Sequence, residues 1–209
     1  MIVTAVEELS KSRSRVMIDG EFAFVLYKGE LRLYHISVGE EITTKDYEAI
    51  MKEVLPKRAK LRAMNLLTKR EYTEKQLRNK LREGQYPEKI IEEALSYVAD
   101  FHYTDDLRYA VTYITDHEST RSRRRIEQDL TGKGICKETL ERAWEEWEAK
   151  GGRQDEESMI HALLEKRKFN PETADWKERQ KICAFLLRKG FSGEAVRRVL
   201  KSEFFFETD

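Results

Sequence analysis

The chain has 209 residues, with 39 Lys and Arg against 39 Asp and Glu, so net charge neither supports nor excludes a polyanionic partner and the distribution along the chain must decide. At 37% charged and 40% hydrophobic, with three prolines and ten glycines, the composition argues against a thick α/β enzyme core and fits charged amphipathic helices that bury narrow apolar stripes. No run of about 18 apolar residues is present, and the opening MIVTAVEELS lacks a basic segment followed by an apolar one, so neither a membrane span nor a signal peptide is expected and a cytoplasmic location is.

Residues 1–55 form a strand-rich segment followed by a helix. Strands are expected near 2–8, 14–19, 22–27 and 31–35, from β-branched and aromatic runs punctuated by Asp19-Gly20 and Lys28-Gly29; Asp-Gly between such runs is a strong hairpin signal. So small a sheet must pack on a helix, and the nearest begins near Thr44. There TTKDYEAIMKEVL supplies Thr43 or Thr44 as a cap and puts Tyr47, Ile50, Met51, Val54 and Leu55 on one stripe, before Pro56 interrupts or restarts the helix.

Beyond residue 56 the chain repeats itself. TEKQLRNKLREGQYPEKIIEEALSYV from Thr73, SRRRIEQDLTGKGICKETLERAWEEW from Ser122 and ERQKICAFLLRKGFSGEAVRRVLKSE from Glu178 align without gaps. Apolar residues recur at fixed offsets: Leu77, Ile126 and Ile182; Leu81, Leu130 and Leu186; Tyr86, Ile135 and Phe191; Ile91, Leu140 and Val196; Leu95, Trp144 and Leu200. A glycine-bearing turn lies between the second and third sets, with Gly84 in the first copy, Gly132 and Gly134 in the second and Gly190 in the third; a helix ending at a glycine in the left-handed conformation, then an apolar residue and a second amphipathic helix, is the pattern of a helix-turn-helix hairpin. A further apolar helix precedes each hairpin, at Ala63–Leu67, Ala110–Ile114 and Ile160–Leu164. The expected fold class is therefore mainly α, with three-helix, helix-turn-helix-like repeats over 56–103, 104–150 and 151–209 behind a small N-terminal β segment.

Catalytic chemistry is hard to find. Asp105 and Asp106 stand side by side, but no DxD, ExxH or HExxH spacing accompanies them; TDDLRYA reads as a helix start with Thr104 or Asp105 as cap and an acid in the first turn, fixing where the second repeat begins. His35, His102, His117 and His161 fall in separate elements, and no phosphate loop or nucleophile elbow is present, so neither an enzyme nor a cofactor or metal site is expected. Cys136 and Cys183, far apart and without metal-ligand spacing, read as small buried thiols. Trp144 falls at a repeated apolar offset and reads as core; Trp147 is either core or a partner anchor, and Phe204–Phe206 either docks on the chain or forms a contact patch.

Basic residues are unevenly spread. STRSRRRIEQDLTGKGICK holds Arg121, Arg123, Arg124, Arg125, Lys133 and Lys137 against Glu127 and Asp129, and its arginines open a helix, where the dipole disfavours cations and local stability does not explain them. The equivalent hairpins carry Arg78, Lys80 and Arg82 in the first repeat and Arg188 and Lys189 in the third, so the bases could form a stripe suited to a polyanion such as DNA phosphates or to an acidic protein groove.

Four stretches resemble the RecX family of regulatory proteins, which act on RecA recombinase: AMNLLTKREYTEKQLRNKL from Ala63, YTDDLRYAVTY from Tyr103, RIEQDLTGKGI from Arg125 and, more weakly, LLRKGFSGEAVRRVL from Leu186. Met64 stands where the family usually has Leu and Thr73 where it has Ser, and the strand-rich start belongs only to some members. The resemblance implies an elongated, curved array of three-helix repeats that binds the RecA–DNA filament and inhibits strand exchange, ATPase and coprotease activities. A monomer with no cofactor is expected, whose partners are the RecA filament and single- or double-stranded DNA. The alternative is a DNA-binding protein that acts independently of RecA.

Overall fold

Asp19 and Gly20 hold φ of 50° and 87°, the positive values a two-residue hairpin turn needs, and fold Arg13–Ile18 (β2) back on Glu21–Tyr27 (β3). Val3–Glu8 (β1) pairs antiparallel with the other side of β2, so the computed structural model, which describes residues 1–200, opens with a three-stranded sheet in the order β1-β2-β3. Alternation along β2 buries Ser14, Val16 and Ile18, and with Val3, Phe24 and Leu26 they make the apolar face. Three strands cannot shield such a face, and it is covered, as expected, by the helices that follow.

The fourth expected strand, 31–35, is not one: Lys28–Leu33 is a helix (α1). The Glu30 carboxylate accepts from the Tyr27 N–H at 2.7 Å and is held in turn by Arg58 at 2.8 Å, so the chain turns into a helix where β3 ends. Leu31 and Tyr34, three residues apart, pack against the core while Leu33 is 69% exposed, the spacing of a helix face and not of a strand.

Thr43 caps Thr44–Ala49 (α2), its hydroxyl accepting from the Asp46 N–H at 3.0 Å. A π-helical turn, Ile50–Val54, then leads without a break into Leu55–Leu67 (α3), with Pro56 in the first turn of α3. Proline has no N–H to give the preceding turn, and the loosened turn sits where that donor is missing. Ile50, Leu55, Ala59 and Ala63 line one core with the sheet, and the Tyr47 ring lies 5.9 Å from that of Phe24.

The first repeat is completed by Glu74–Glu83 (α4) and Glu88–Asp100 (α5). The second comprises Asp106–His117 (α6), Arg123–Gly132 (α7) and Lys137–Ala149 (α8), and the third Glu156–Lys166 (α9), Trp176–Arg188 (α10) and Gly193–Leu200 (α11). Every side chain at the repeated apolar offsets is buried except Tyr86, which is half-buried. The chain divides into two compact units, one of residues Met1–Asp105 and one beginning at Asp106. In the first unit the sheet and the first repeat share a single core; in the second, each repeat has a core of its own. Among the described residues no helix is long and apolar enough to cross a membrane, and Phe204–Phe206 lies outside them.

Each hairpin turns on one left-handed residue at a shared offset: Gln85, Gly134 and Gly190, with φ of 58°, 103° and 88°. Its N–H and that of the next residue return to carbonyls of the preceding helix, as in Tyr86 to Leu81 and Phe191 to Leu186, which satisfies groups a helix end leaves orphaned. The first copy departs from expectation, because Gly84 sits at the helix end with φ −76° and Gln85 takes the left-handed position. A side chain is kept there because its Oε1 accepts from Arg15 Nε of β2 at 3.1 Å, which ties turn to sheet. These backbone states make opposite predictions within one turn. Gly134→Ala should lower stability by about 1–2 kcal/mol, the cost of a Cβ in the left-handed region. Gly132→Ala should leave stability unchanged or raise it by up to about 1 kcal/mol, because Gly132 ends α7 with open space where a Cβ would go. Urea midpoints of the two variants check this, and equal shifts would refute it.

Candidate functional site

Ser122 organises the most cationic region of the second unit. It is 1% exposed and precedes α7, and its hydroxyl oxygen accepts from the Arg125 N–H at 3.3 Å while its proton goes to the Lys189 carbonyl at 2.8 Å. Lys189 ends α10, where carbonyls lack helical partners, so one hydroxyl serves the start of one helix and the end of another. The approach is close: a Cβ on Gly190 would stand 2.6 Å from Ser122 Oγ. Gln154 adds to the junction by donating from Nε2 to the carbonyls of Glu118 and Arg121, both at 2.8 Å, and Ser192 Oγ donates to Glu156 at 2.6 Å.

Beside this clasp a cleft of about 720 Å³ opens between the second and third repeats. Arg121, Arg125, Arg188 and Lys189 line it, with Leu163, Phe185 and Phe191 as apolar lining and no carboxylate among the lining residues. Asp129 lies behind the wall, half-buried, and pairs with Arg121 at 2.6 Å and Arg125 at 3.1 Å; Arg121 also donates to the Tyr113 hydroxyl at 2.6 Å. Burial, and then the Asp129 charge, push the Tyr113 phenol up, so it stays protonated at neutral pH. Arg188 has no carboxylate partner among the described residues, and Lys189 Nζ stands 5.7 Å from the centre of the Phe185 ring. One half-buried carboxylate thus serves two arginines, which leaves the cleft with excess positive charge over apolar surface, a combination suited to an anionic ligand.

The remaining bases of the sequence reading are placed elsewhere. Arg123 lies over Trp144, 4.4 Å from the ring centre, and pairs with Glu127 and Glu148; Arg124 is exposed, with no carboxylate partner among the described residues. Lys133 stands over the Tyr113 ring at 5.3 Å, and Lys137 reaches Glu141 at 3.7 Å. In the first unit Arg78 is gripped by Glu74, Glu88 and Glu92, Arg82 by Glu88 and Lys80 by Glu83. Arg78 therefore locks α4 onto α5. Sequence reasoning missed Ser122 and Phe185; the signal for Ser122 was its alignment with Thr73, which caps α4 and is likewise fully buried.

The other singled-out residues are structural or exposed. Helix α6 begins at Asp106, so Asp105 directly precedes it, Asp106 lies in its first turn, and the two units divide between them. Trp144 is core, as expected, and Trp147 is too, its Nε1 donating to Glu118 at 2.8 Å. Cys183 is buried but Cys136 is exposed, which corrects the expectation of two buried thiols: Ile135 takes the core position, and Cys136, one residue on, points outward as α8 begins. Among the described residues no group of His, Cys, Asp and Glu side chains is arranged to hold a metal ion.

Family models for the first and third three-helix domains of RecX match residues 59–97 and 154–200. The regulatory protein RecX of Caldanaerobacter subterraneus subsp. tengcongensis is 32% identical over 202 residues, covering 96% of this chain and 98% of that one. The chain belongs to the RecX family. The Clostridium acetobutylicum regulatory protein RecX is 30% identical, over 97% of this chain and 96% of its own. A crystal structure of regulatory protein RecX superposes with a TM-score of 0.61 at 23% identity, over 96% of this chain and 99% of that one, and RecX from Lactobacillus salivarius with 0.56 at 21%, over 71% and 96%; both share the fold. RecX proteins are regulators and not enzymes, so the acidic pair and the scattered histidines of this chain need no catalytic account.

Two outcomes are expected. All three tryptophans, Trp144, Trp147 and Trp176, lie in the second unit, so their fluorescence reports its unfolding alone. Ser122→Ala should lower that stability by about 1–2 kcal/mol, losing a cap and leaving the Lys189 carbonyl unserved, while Ser122→Thr should keep most of it; an unchanged midpoint for Ser122→Ala would refute the clasp. In the first unit, hydrogen bonds from Arg82 hold the Glu88 carboxyl below its ordinary range, and those from Arg78 do the same for Glu92. With folded values below unfolded ones, this stabilisation is complete above about pH 4.3 and is lost as pH falls through the lowered values. Hydrogen-exchange protection of α4 and α5 should therefore drop on acidification, and Arg78→Met should flatten the drop.

Proposed function

We propose that the chain regulates a RecA-type recombinase by binding its assembled filament on DNA, in the cytoplasm and as a monomer. Binding inhibits strand exchange and the linked ATPase and coprotease activities, by blocking the filament groove or capping growth. The observation that carries this reading is RecX family membership over nearly the whole chain. The cleft lined by Arg121, Arg125, Arg188 and Lys189 supports it, since a filament on DNA presents phosphates that such a cationic cleft suits. Inhibition by mass action requires preference for filament over free subunits, because only differential binding shifts assembly. The same cleft favours a second reading, in which the chain binds DNA without a recombinase.

Adding the protein to RecA on single-stranded DNA should depress ATP hydrolysis at substoichiometric ratios; unchanged hydrolysis at equimolar protein would sink the filament reading. Arg188→Glu with Lys189→Glu separates the two readings. Loss of DNA binding with inhibition retained would show distinct activities, and loss of both would tie inhibition to the cleft.

A further inference from the structure

The sheet meets the first repeat much as the second repeat meets the third. In the third repeat the left-handed turn residue, Gly190, abuts Ser122 of the preceding repeat; in the first, the residue at the same offset, Gln85, bonds Arg15 of β2. At both junctions a cleft opens beside the hairpin turn. The one in the first unit has a volume of about 350 Å³ and collects Arg13 from β2, Arg62 from α3 and Lys80 from α4, together with Tyr27 and Tyr86.

This second cleft is a built feature. The Arg58 guanidinium lies between the two tyrosines, 4.9 Å from the Tyr27 ring centre and 5.6 Å from that of Tyr86. Arg58 is itself fixed by Glu30 and by the Val25 carbonyl, so both rings have a rigid backing. Burial pushes the Tyr86 phenol up, which keeps it a hydrogen-bond donor at neutral pH. Arg13 and Arg62 are exposed and have no carboxylate partner among the described residues. Glu83 is the one acidic lining residue, and it pairs with Lys80 at 2.7 Å.

We propose that this cleft is a phosphate-binding site that takes the phosphodiester backbone of a nucleic acid strand, with Arg13 on the sheet and Arg62 on the first repeat as its two banks. A carboxylate is planar and is served by one guanidinium fork, whereas phosphate oxygens point several ways and accept from donors on separate elements. Cations on separate elements, with two phenols in the same lining, match the second pattern and suit neighbouring phosphates of one chain. The N-terminal sheet thereby supplies one wall of a binding cleft as well as closing the core of the first repeat.

The test uses the full chain and labelled oligo-dT, read by fluorescence anisotropy across a salt series with no recombinase present, so its result does not depend on the filament reading. Arg13→Glu with Arg62→Glu should weaken binding by about tenfold or more and reduce the salt slope by about 1.4, the loss of two single-strand phosphate contacts. The charge-matched Lys45→Glu with Lys89→Glu, exposed and outside the cleft, should lose far less. Circular dichroism checks folding, and Arg13→Gln with Arg62→Gln replaces the Glu pair if that pair unfolds. Absence of oligo-dT binding by the wild type, wild-type affinity in the cleft variant, or equal losses in cleft and control variants would each overturn the proposal. So would displacement of oligo-dT by inorganic phosphate or ATP in the micromolar range, which would mark a site for free phosphates instead of a strand.

Discussion

A single left-handed residue closes each helical hairpin, and much of the chain is arranged around that turn. Its N–H and the next one take the last carbonyls of the preceding helix, so the following apolar residue, Tyr86, Ile135 or Phe191, is delivered inward at a fixed place. With that entry set, the two hairpin helices bring the same offsets together in every copy. Each repeat can then vary its charged surface freely while its buried skeleton stays the same.

The turns also serve as docking points. A left-handed turn exposes backbone and lets another element approach closely, as Ser122 does at Gly190; where a side chain is retained, as at Gln85, it reaches the neighbour itself. Each contact sets two elements side by side at a hairpin end, and a cleft forms next to it. Charge then divides by local competition. Arginines within reach of nearby glutamates, such as Arg78, are consumed as internal ties, whereas Arg188, Arg13 and Arg62, which have no carboxylate partner among the described residues, remain to meet an outside anion.

The apolar offsets were legible because helical burial imposes a strict spacing, and the hairpin at Asp19-Gly20 because its turn type demands particular residues. The misreadings have a common cause. Residues 31–35 looked like a strand because a short apolar and aromatic run after Lys28-Gly29 does not by itself say which backbone it adopts, and the deciding contact, Arg58 with Glu30, comes from 28 residues away. Gly84 looked like the left-handed residue because glycine usually is, but Arg15 stabilises Gln85 in that role. Cys136 looked buried because free cysteines usually are.

Sequence alone determined the repeat, its buried skeleton and the likeness to RecX, because burial and turn chemistry act through residues close in the chain. Tertiary structure alone decided which bases are available. Whether an arginine is a tie or a contact depends on which carboxylates folding brings within about 4 Å of it. Arg78 and Arg188 fall in the same kind of basic hairpin by sequence, yet three glutamates surround one while the other lines an open cleft.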